Sequence, residues 1–226
     1  MRVAVHQPQY IPWLGYFHKI ASSDLFVLLD TVQYKKREFQ NRNRIKTPAG
    51  PLWLTIPVLT KGSYLQKISE VQIDNQERWA EKHRHSLERN YAHAPYYKKY
   101  RDFLEEIYGQ EWASLIEVNM ATIKYLCQAL NLDTPIMLES TIGTTQTQTA
   151  RIIEICQKVK ADIYLSGQGA KDYLDENLLA QNGITLEYQE FVHPVYPQLY
   201  GPFIPYLSTL DLIFNCGPDS KKILLG

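Results

Sequence analysis

Three stretches of the 226-residue chain gather more chemically able side chains than a turn or a helix start requires. The first holds His6, Gln7, Tyr10, Trp13, Tyr16, His18 and Lys19 in a segment broken by Pro8, Pro12 and Gly15. An imidazole can carry a proton or donate to developing charge, and a lysine ammonium can sit against phosphates. Amide and aromatic groups beside them can hold a sugar or a base. His6 and Lys19 are the candidate catalytic pair, with Gln7, Tyr10, Trp13 and Tyr16 as substrate contacts. The plainer alternative is a loop packed on aromatics with its hydrogen bonds satisfied.

The second stretch packs Lys35, Lys36, Arg37, Arg42, Arg44 and Lys46 together, although the whole chain balances 24 basic against 24 acidic residues. Arginine forks bind phosphate bidentately, and Asn and Gln read hydroxyls or base edges. Lys35, Arg37, Arg42 and Arg44 are therefore candidate phosphate ligands, and the interleaved Gln33, Gln40, Asn41 and Asn43 candidate readers of hydroxyls. A solvated charge run is the alternative. The third stretch is Ser166-Gly167-Gln168-Gly169-Ala170, where a strand meets a glycine turn and a short helix. Ser166, Gly167 and Gly169 would form an anion nest there, unless the glycines serve only close packing.

Other histidines attract less. His83 shares a helical face with Trp79 and Leu87 and reads as a satisfied, partly buried imidazole, while His85 and His93 read as surface groups. His193 lies in a proline-aromatic loop that covers the site or caps the sheet. No metal ligands stand at useful spacing, and no Ser-His-Asp, P-loop or Cys-x-x-Cys signature is present.

The elements that must position these residues follow from apolar patterning. Residues 2–5 form a β-branched strand stopped by Pro8, residues 14–22 a helix, and residues 24–30 a continuous apolar strand, together an opening βαβ unit. Residues 51–58 and 68–74 read as two further strands joined by a turn at Lys61-Gly62-Ser63. From 77 to 130 the period is helical, with Trp79, His83, Leu87 and Tyr91 on one face and Ile116, Met120, Ile123, Cys127 and Leu130 on another.

Strands at 136–138, 162–165 and 184–188, with a helix carrying Ile152, Ile155, Cys156 and Val159, restore the alternation. Ser208 and Asp211 make a capping-box-like start to a last helix, which Gly217-Pro218 ends. The expectation is one α/β domain over 1–226, a mostly parallel sheet with a helical insert around 76–132. His6, Arg42, Asn43 and Ser166 are then expected to converge at the carboxyl edge of the sheet, where such folds bind ligands.

Neutral overall charge leaves no global field to hold nucleic acid or an anionic membrane. Cys127, Cys156 and Cys216 are scattered among apolar neighbours and read as reduced, buried thiols. The opening residues lack a signal-peptide core and no stretch reaches membrane-span length, so the cytosol is the expected compartment.

The segments HQPQYIPWLGYFHKI at 6–20, SDLFVLLDTVQYKKREFQNRNRIK at 23–46, WLTIPV at 53–58, ADIYLSGQGAKDYL at 161–174 and GPFIPYLSTLDLIFN at 201–215 resemble the WbqC-like family over nearly the whole chain. The resemblance implies a link to bacterial O-antigen or other surface-polysaccharide synthesis, with glycine transfer to an amino sugar suggested for some members. A strand ending in His6-Gln7-Pro8 and a turn Pro12-Trp13-Leu14-Gly15-Tyr16 heading a helix also look like the opening of HIGH-type nucleotidyltransferases. That likeness implies a three-layer Rossmann-like fold, a turn that binds the phosphates of ATP with Mg2+, and carboxylates activated as adenylates. The motif's second histidine would here be Tyr16, a departure that weakens the transfer.

Four functions compete. The leading one is an acyl or aminoacyl transferase, glycine being one donor group, acting on the amine of a nucleotide-linked sugar. A nucleotidyltransferase would use the same pocket and release pyrophosphate without making an amide. A noncatalytic nucleotide-sugar binder would bind without turnover, and an RNA binder, with charged tRNA as donor, would lose affinity steeply with salt.

Overall fold

A computed structural model describes residues 1–63 and 65–226. In chain order the elements are β1 (Arg2–His6), α1 (Leu14–Ala21), β2 (Leu25–Leu28), β3 (Arg42–Thr47), β4 (Gly50–Thr55), α2 (Trp79–Tyr91), α3 (Asp102–Tyr108) and α4 (Leu115–Ala129). There follow β5 (Ile136–Leu138), α5 (Glu139–Ile142), α6 (Gln148–Val159), β6 (Ile163–Ser166), α7 (Glu176–Gln181), β7 (Thr185–Tyr188), α8 (Thr209–Cys216) and α9 (Ser220–Leu225). The chain divides into two compact units, one of Met1–Gln7, His18–Val32 and Asp133–Val192, the other of Pro8–Phe17, Gln33–Leu132 and His193–Gly226.

The first unit holds a five-stranded sheet in the order β5-β2-β1-β6-β7. Every strand pair in it is parallel, with Val3 facing Leu25 on one side and Tyr164 on the other. Counted in the order the chain lays them down, the strands stand 3-2-1-4-5, the doubly wound arrangement whose switch point falls between β1 and β6. The continuous apolar run Leu25–Leu28 is buried at every position, as a strand covered on both faces must be. Val3, Val5, Leu25 and Val27 pack one sheet face on Ile152, Ile155 and Cys156 of α6 and Leu179 of α7.

The second unit carries an antiparallel hairpin, β3 with β4, together with α2, α3, α4, α8 and α9. Trp79, His83, Leu87 and Tyr91 are buried along α2, as the helical period requires, and Ser114 with Glu117 forms a capping box at the start of α4.

Three expectations are corrected in this unit. Residues 68–74 are not a strand: Ile68–Glu70 is a single 3-10 turn, because the Glu70 carboxylate takes the Lys67 amide (2.9 Å) and closes the chain on itself. Only isolated bridges, Val58 to Ile73 and Gln72 to Ser114, remain of the expected pairing, and β4 pairs instead with Arg42–Thr47. Asp211 does not reach back to cap α8 but turns inward to Tyr91 (2.8 Å) and Gln198 (2.8 Å), leaving Ser208 alone as the cap. Gly217 does end α8, at a φ of 53°, yet α9 follows it.

Cys127, Cys156 and Cys216 are free, buried thiols. Among the described residues, no helix is long and apolar enough to cross a membrane.

Candidate functional site

In the sheet unit, β1 delivers His6 to the switch point. The strand pairs His6 with Leu28, and the His6 carbonyl accepts the Leu29 amide (2.8 Å), so the backbone is fixed where the ring leaves the sheet. The ring's Nδ1 lies 3.0 Å from the Gln7 carbonyl, which can only accept. Nδ1 therefore carries the proton, and in the neutral ring Nε2 is the acceptor. Burial, then the charge of Lys19, lowers the imidazole pKa to about 4, so the ring is neutral near pH 7.

Lys19 is only 3% exposed, and its Nζ donates to the Val5 carbonyl (2.9 Å), one residue before His6. Burial pulls its pKa down to about 7. A buried amine with no carboxylate in ion-pair reach among the described residues costs stability. Such a group at a sheet mouth is a functional candidate.

Across the switch point β6 ends at Ser166, which is 1% exposed. A side chain built at Gly167 or Gly169 would meet nothing within 4 Å, so packing does not demand these glycines. Gln189 ties the turn to α1: its amide nitrogen donates to the Ser166 carbonyl (2.8 Å) and its Nε2 to His18 Nδ1 (3.0 Å). His18 thus holds the opposite tautomer from His6, with Nε2 as its donor. A neutral acceptor, a ring donor and an amine titrating near pH 7 can together accept, hold and return a proton.

In the hairpin unit, the interior takes several of the predicted ligands. Tyr10 is fully buried, its hydroxyl 2.9 Å from His83 Nδ1 and 2.6 Å from the Tyr108 hydroxyl. Tyr16 is 1% exposed. Asn43 donates to the Ile11 carbonyl (2.9 Å), Asn41 to that of Ile56 (2.8 Å), and the Gln40 side chain accepts the Lys35 amide (3.0 Å). These amides hold loops in shape. Trp13 packs edge-on to Tyr206, and Gln33 makes a bridge to Lys67.

The arginines face outward. In a strand, residues two apart share a face, and register sets Arg44 opposite Trp53. The Arg42 and Arg44 guanidinium groups lie 4.3 and 5.5 Å from the centre of the Trp53 ring, which is 41% exposed. Arg42 also donates to the Arg37 carbonyl, and Arg44 to that of Tyr206 (3.3 Å). Arg37, Arg42 and Arg44 enter no ion pair among the described residues.

Openings of about 550, 280 and 260 Å³ lie among the described residues of this unit. The one of about 260 Å³ is lined by Lys36, Arg37, Arg42, Tyr34, Asn41 and Thr60, among others. The largest, about 550 Å³, mixes Arg78, Arg84 and His85 with Glu81 and Glu111, and the Arg78–Glu81 pair (2.5 Å) cancels part of its field.

Of the four residues expected to converge, His6 and Ser166 end neighbouring strands of one unit, while Arg42 and Asn43 belong to β3 of the other. Sequence reasoning missed Gln189 and Trp53. Trp53 could be paired with arginine only once the hairpin register is known, since the exchange of partners from β4 with 68–74 to β4 with β3 creates the contact.

A parallel five-stranded sheet flanked by helices, with a histidine and a buried lysine at its carboxyl edge, defines an α/β protein. The chain belongs to the WbqC-like protein family, whose model matches residues 7–223. It is 37% identical over 225 residues to an uncharacterized protein of Mycobacterium tuberculosis, covering 99% of this chain and 97% of that one. No solved structure is a significant match.

Proposed function

We propose that this protein is a cytosolic acyl or aminoacyl transferase that joins a carboxyl-derived group, glycine being the simplest, to the amine of a nucleotide-linked sugar in surface-polysaccharide (O-antigen) synthesis. The observation that carries the reading is the Lys19 amine, titrating near pH 7 beside the neutral His6 ring at the switch point. In the ATP-dependent form, a carboxylate attacks the α-phosphorus and pyrophosphate leaves. The sugar amine then attacks the acyl carbon, the C–N bond forms as the C–O bond to AMP breaks, and the amine's proton must go to a base. A base whose pKa lies near the working pH suits that step, and Lys19 meets it better than His6, whose role is to accept and orient the incoming amine.

Asp30 and Glu139, which follow β2 and begin α5, do not present themselves to a magnesium ion. Asp30 is 1% exposed and accepts the Ser140 amide, and Glu139 is fully buried on Thr31, Thr144 and Arg151. The strand order and the HIGH-type likeness favour a second reading, nucleotidyl transfer in a Rossmann-like fold. Thermal-shift screening against ATP, UDP-sugars and dTDP-sugars, followed by ATP–pyrophosphate exchange with and without glycine, separates the two. Glycine-dependent exchange supports acyl transfer, exchange driven by a sugar phosphate supports nucleotidyl transfer, and no exchange and no shift contradicts both.

A further inference from the structure

We propose that the cleft walled by Lys36, Arg37 and Arg42 is a diphosphate-binding site of the hairpin unit, and that Trp53 is the residue that positions its principal ligand, Arg42. Three cations line about 260 Å³ of concave space, and among the described residues no carboxylate joins them. Apart from Val58, the rest of the lining is of the kind that phosphate oxygens meet well: the Tyr34, Thr55 and Thr60 hydroxyls and the Asn41 amide. Asn41 is 6% exposed and its Oδ1 has no hydrogen-bond partner, and neither has Nε of Arg42. Buried polar atoms are rarely left so: a bound anion can accept the Arg42 Nε–H, and only a water of its hydration can donate to Asn41 Oδ1.

The arrangement also argues against a merely solvated charge run. A solvated arginine points into water, whereas the Arg42 guanidinium sits over an indole, 4.3 Å from its centre, that Phe39 braces from 5.8 Å, with one nitrogen donating to the Arg37 carbonyl. A stacked guanidinium keeps its planar fork aimed in one direction, which lowers the entropy lost on binding two oxygens. The cleft is too small for a duplex or a folded RNA, and the neutral chain supplies no long-range field toward one. Two linked phosphates offer oxygens enough for all three cations, whether as free pyrophosphate or as the diphosphate of a nucleotide.

This site deepens the nucleotide-linked reading given above, yet it can be tested without turnover. The measurement is calorimetric titration of the intact protein with inorganic pyrophosphate, sulfate and UDP. Saturable one-site binding of pyrophosphate is expected, with sulfate at least tenfold weaker. Arg42→Ala and Lys36→Ala should each weaken pyrophosphate binding by about tenfold or more, the scale of one lost charge-assisted bond. Trp53→Ala should lose affinity while Trp53→Phe keeps most of it, an outcome that a purely structural indole would not give. If Arg42→Ala fails to fold, Lys36→Ala decides, because Lys36 is exposed.

UDP binding tighter than pyrophosphate identifies a nucleoside diphosphate as the ligand, and equal affinity identifies free pyrophosphate. No saturable heat at millimolar pyrophosphate, equal binding of sulfate, unchanged affinity in both cation variants, or binding of an RNA oligonucleotide without pyrophosphate would each overturn the assignment. Pyrophosphate binding in a protein with no transfer activity leaves this site standing and removes the transferase reading, and activity without pyrophosphate binding does the reverse.

Discussion

The Lys19 ammonium, only 3% exposed, donates to the Val5 carbonyl across 2.9 Å, so β1 and α1 are tied together by an amine whose pKa burial pulls down to about 7. The folded pKa of about 7 lies below the ordinary 10.5, so between these values the unfolded chain binds more protons and stability rises with pH. Lys19→Met should flatten that rise and leave the fold as stable as wild type or more so near pH 7, because a buried charge without a partner is replaced by an apolar chain of similar length. Denaturant titrations at several pH values check this, and a large loss of stability in Lys19→Met would assign the lysine to the fold rather than to chemistry.

Asn43 makes a different prediction, since its side chain is fully buried and holds the Ile11 carbonyl, where the backbone turns through a φ of 38°. Asn43→Ala should cost about 2 kcal/mol or more, from carbonyls left without a donor, and lower the melting temperature by roughly 4–8 °C. Calorimetry that finds an unchanged melting temperature would return Asn43 to the list of ligand contacts.

Gly15 is fixed by a neighbour rather than by its own torsion. A Cβ there would overlap the Trp13 ring. Gly15→Ala should therefore displace Trp13 from its edge-on contact with Tyr206 at 5.6 Å, seen as a change in tryptophan fluorescence, while the sheet unit's circular dichroism stays as it is. Unaltered fluorescence would show that the loop has room to spare.

Acid should weaken the protein through its buried histidines. Burial first, against a Thr55 hydrogen bond that opposes it, holds His83 at about 4, below the ordinary 6.5. His6 shifts the same way. The unfolded chain takes up protons that the folded one refuses, so stability falls as the pH drops from 6.5 to 4, by up to roughly 3 kcal/mol for His83. A His83→Gln variant should show a shallower acid limb in urea titrations from pH 7 to 4. An identical limb would place the acid sensitivity elsewhere.

The parallel sheet was legible because strands buried on both faces write themselves as apolar runs: 24–30 contains β2 and 162–165 overlaps β6. The hairpin was not, because β3 is written as Arg42-Asn43-Arg44-Ile45-Lys46, which puts Arg42 and Arg44 on the outer face, Asn43 and Ile45 inside, and buries Lys46 as well. Its cations were read for their chemistry and hid the strand. The same blindness covered Trp53, which meets arginine only through pairing partners far apart in sequence. Candidate ligands with the right chemistry, Tyr10 and Asn43 among them, proved to be buried by tertiary contacts that no local pattern encodes.

The most direct test of the central claim is mass spectrometry of the products formed when the protein is given ATP, glycine and a panel of UDP- and dTDP-linked amino sugars. The account predicts a glycyl amide on one of these sugars with one AMP released per amide, and turnover lower by about two to four orders of magnitude in Lys19→Met and His6→Ala. Formation of the amide at the wild-type rate in both variants, or of no new product across the panel by a folded protein, would contradict it.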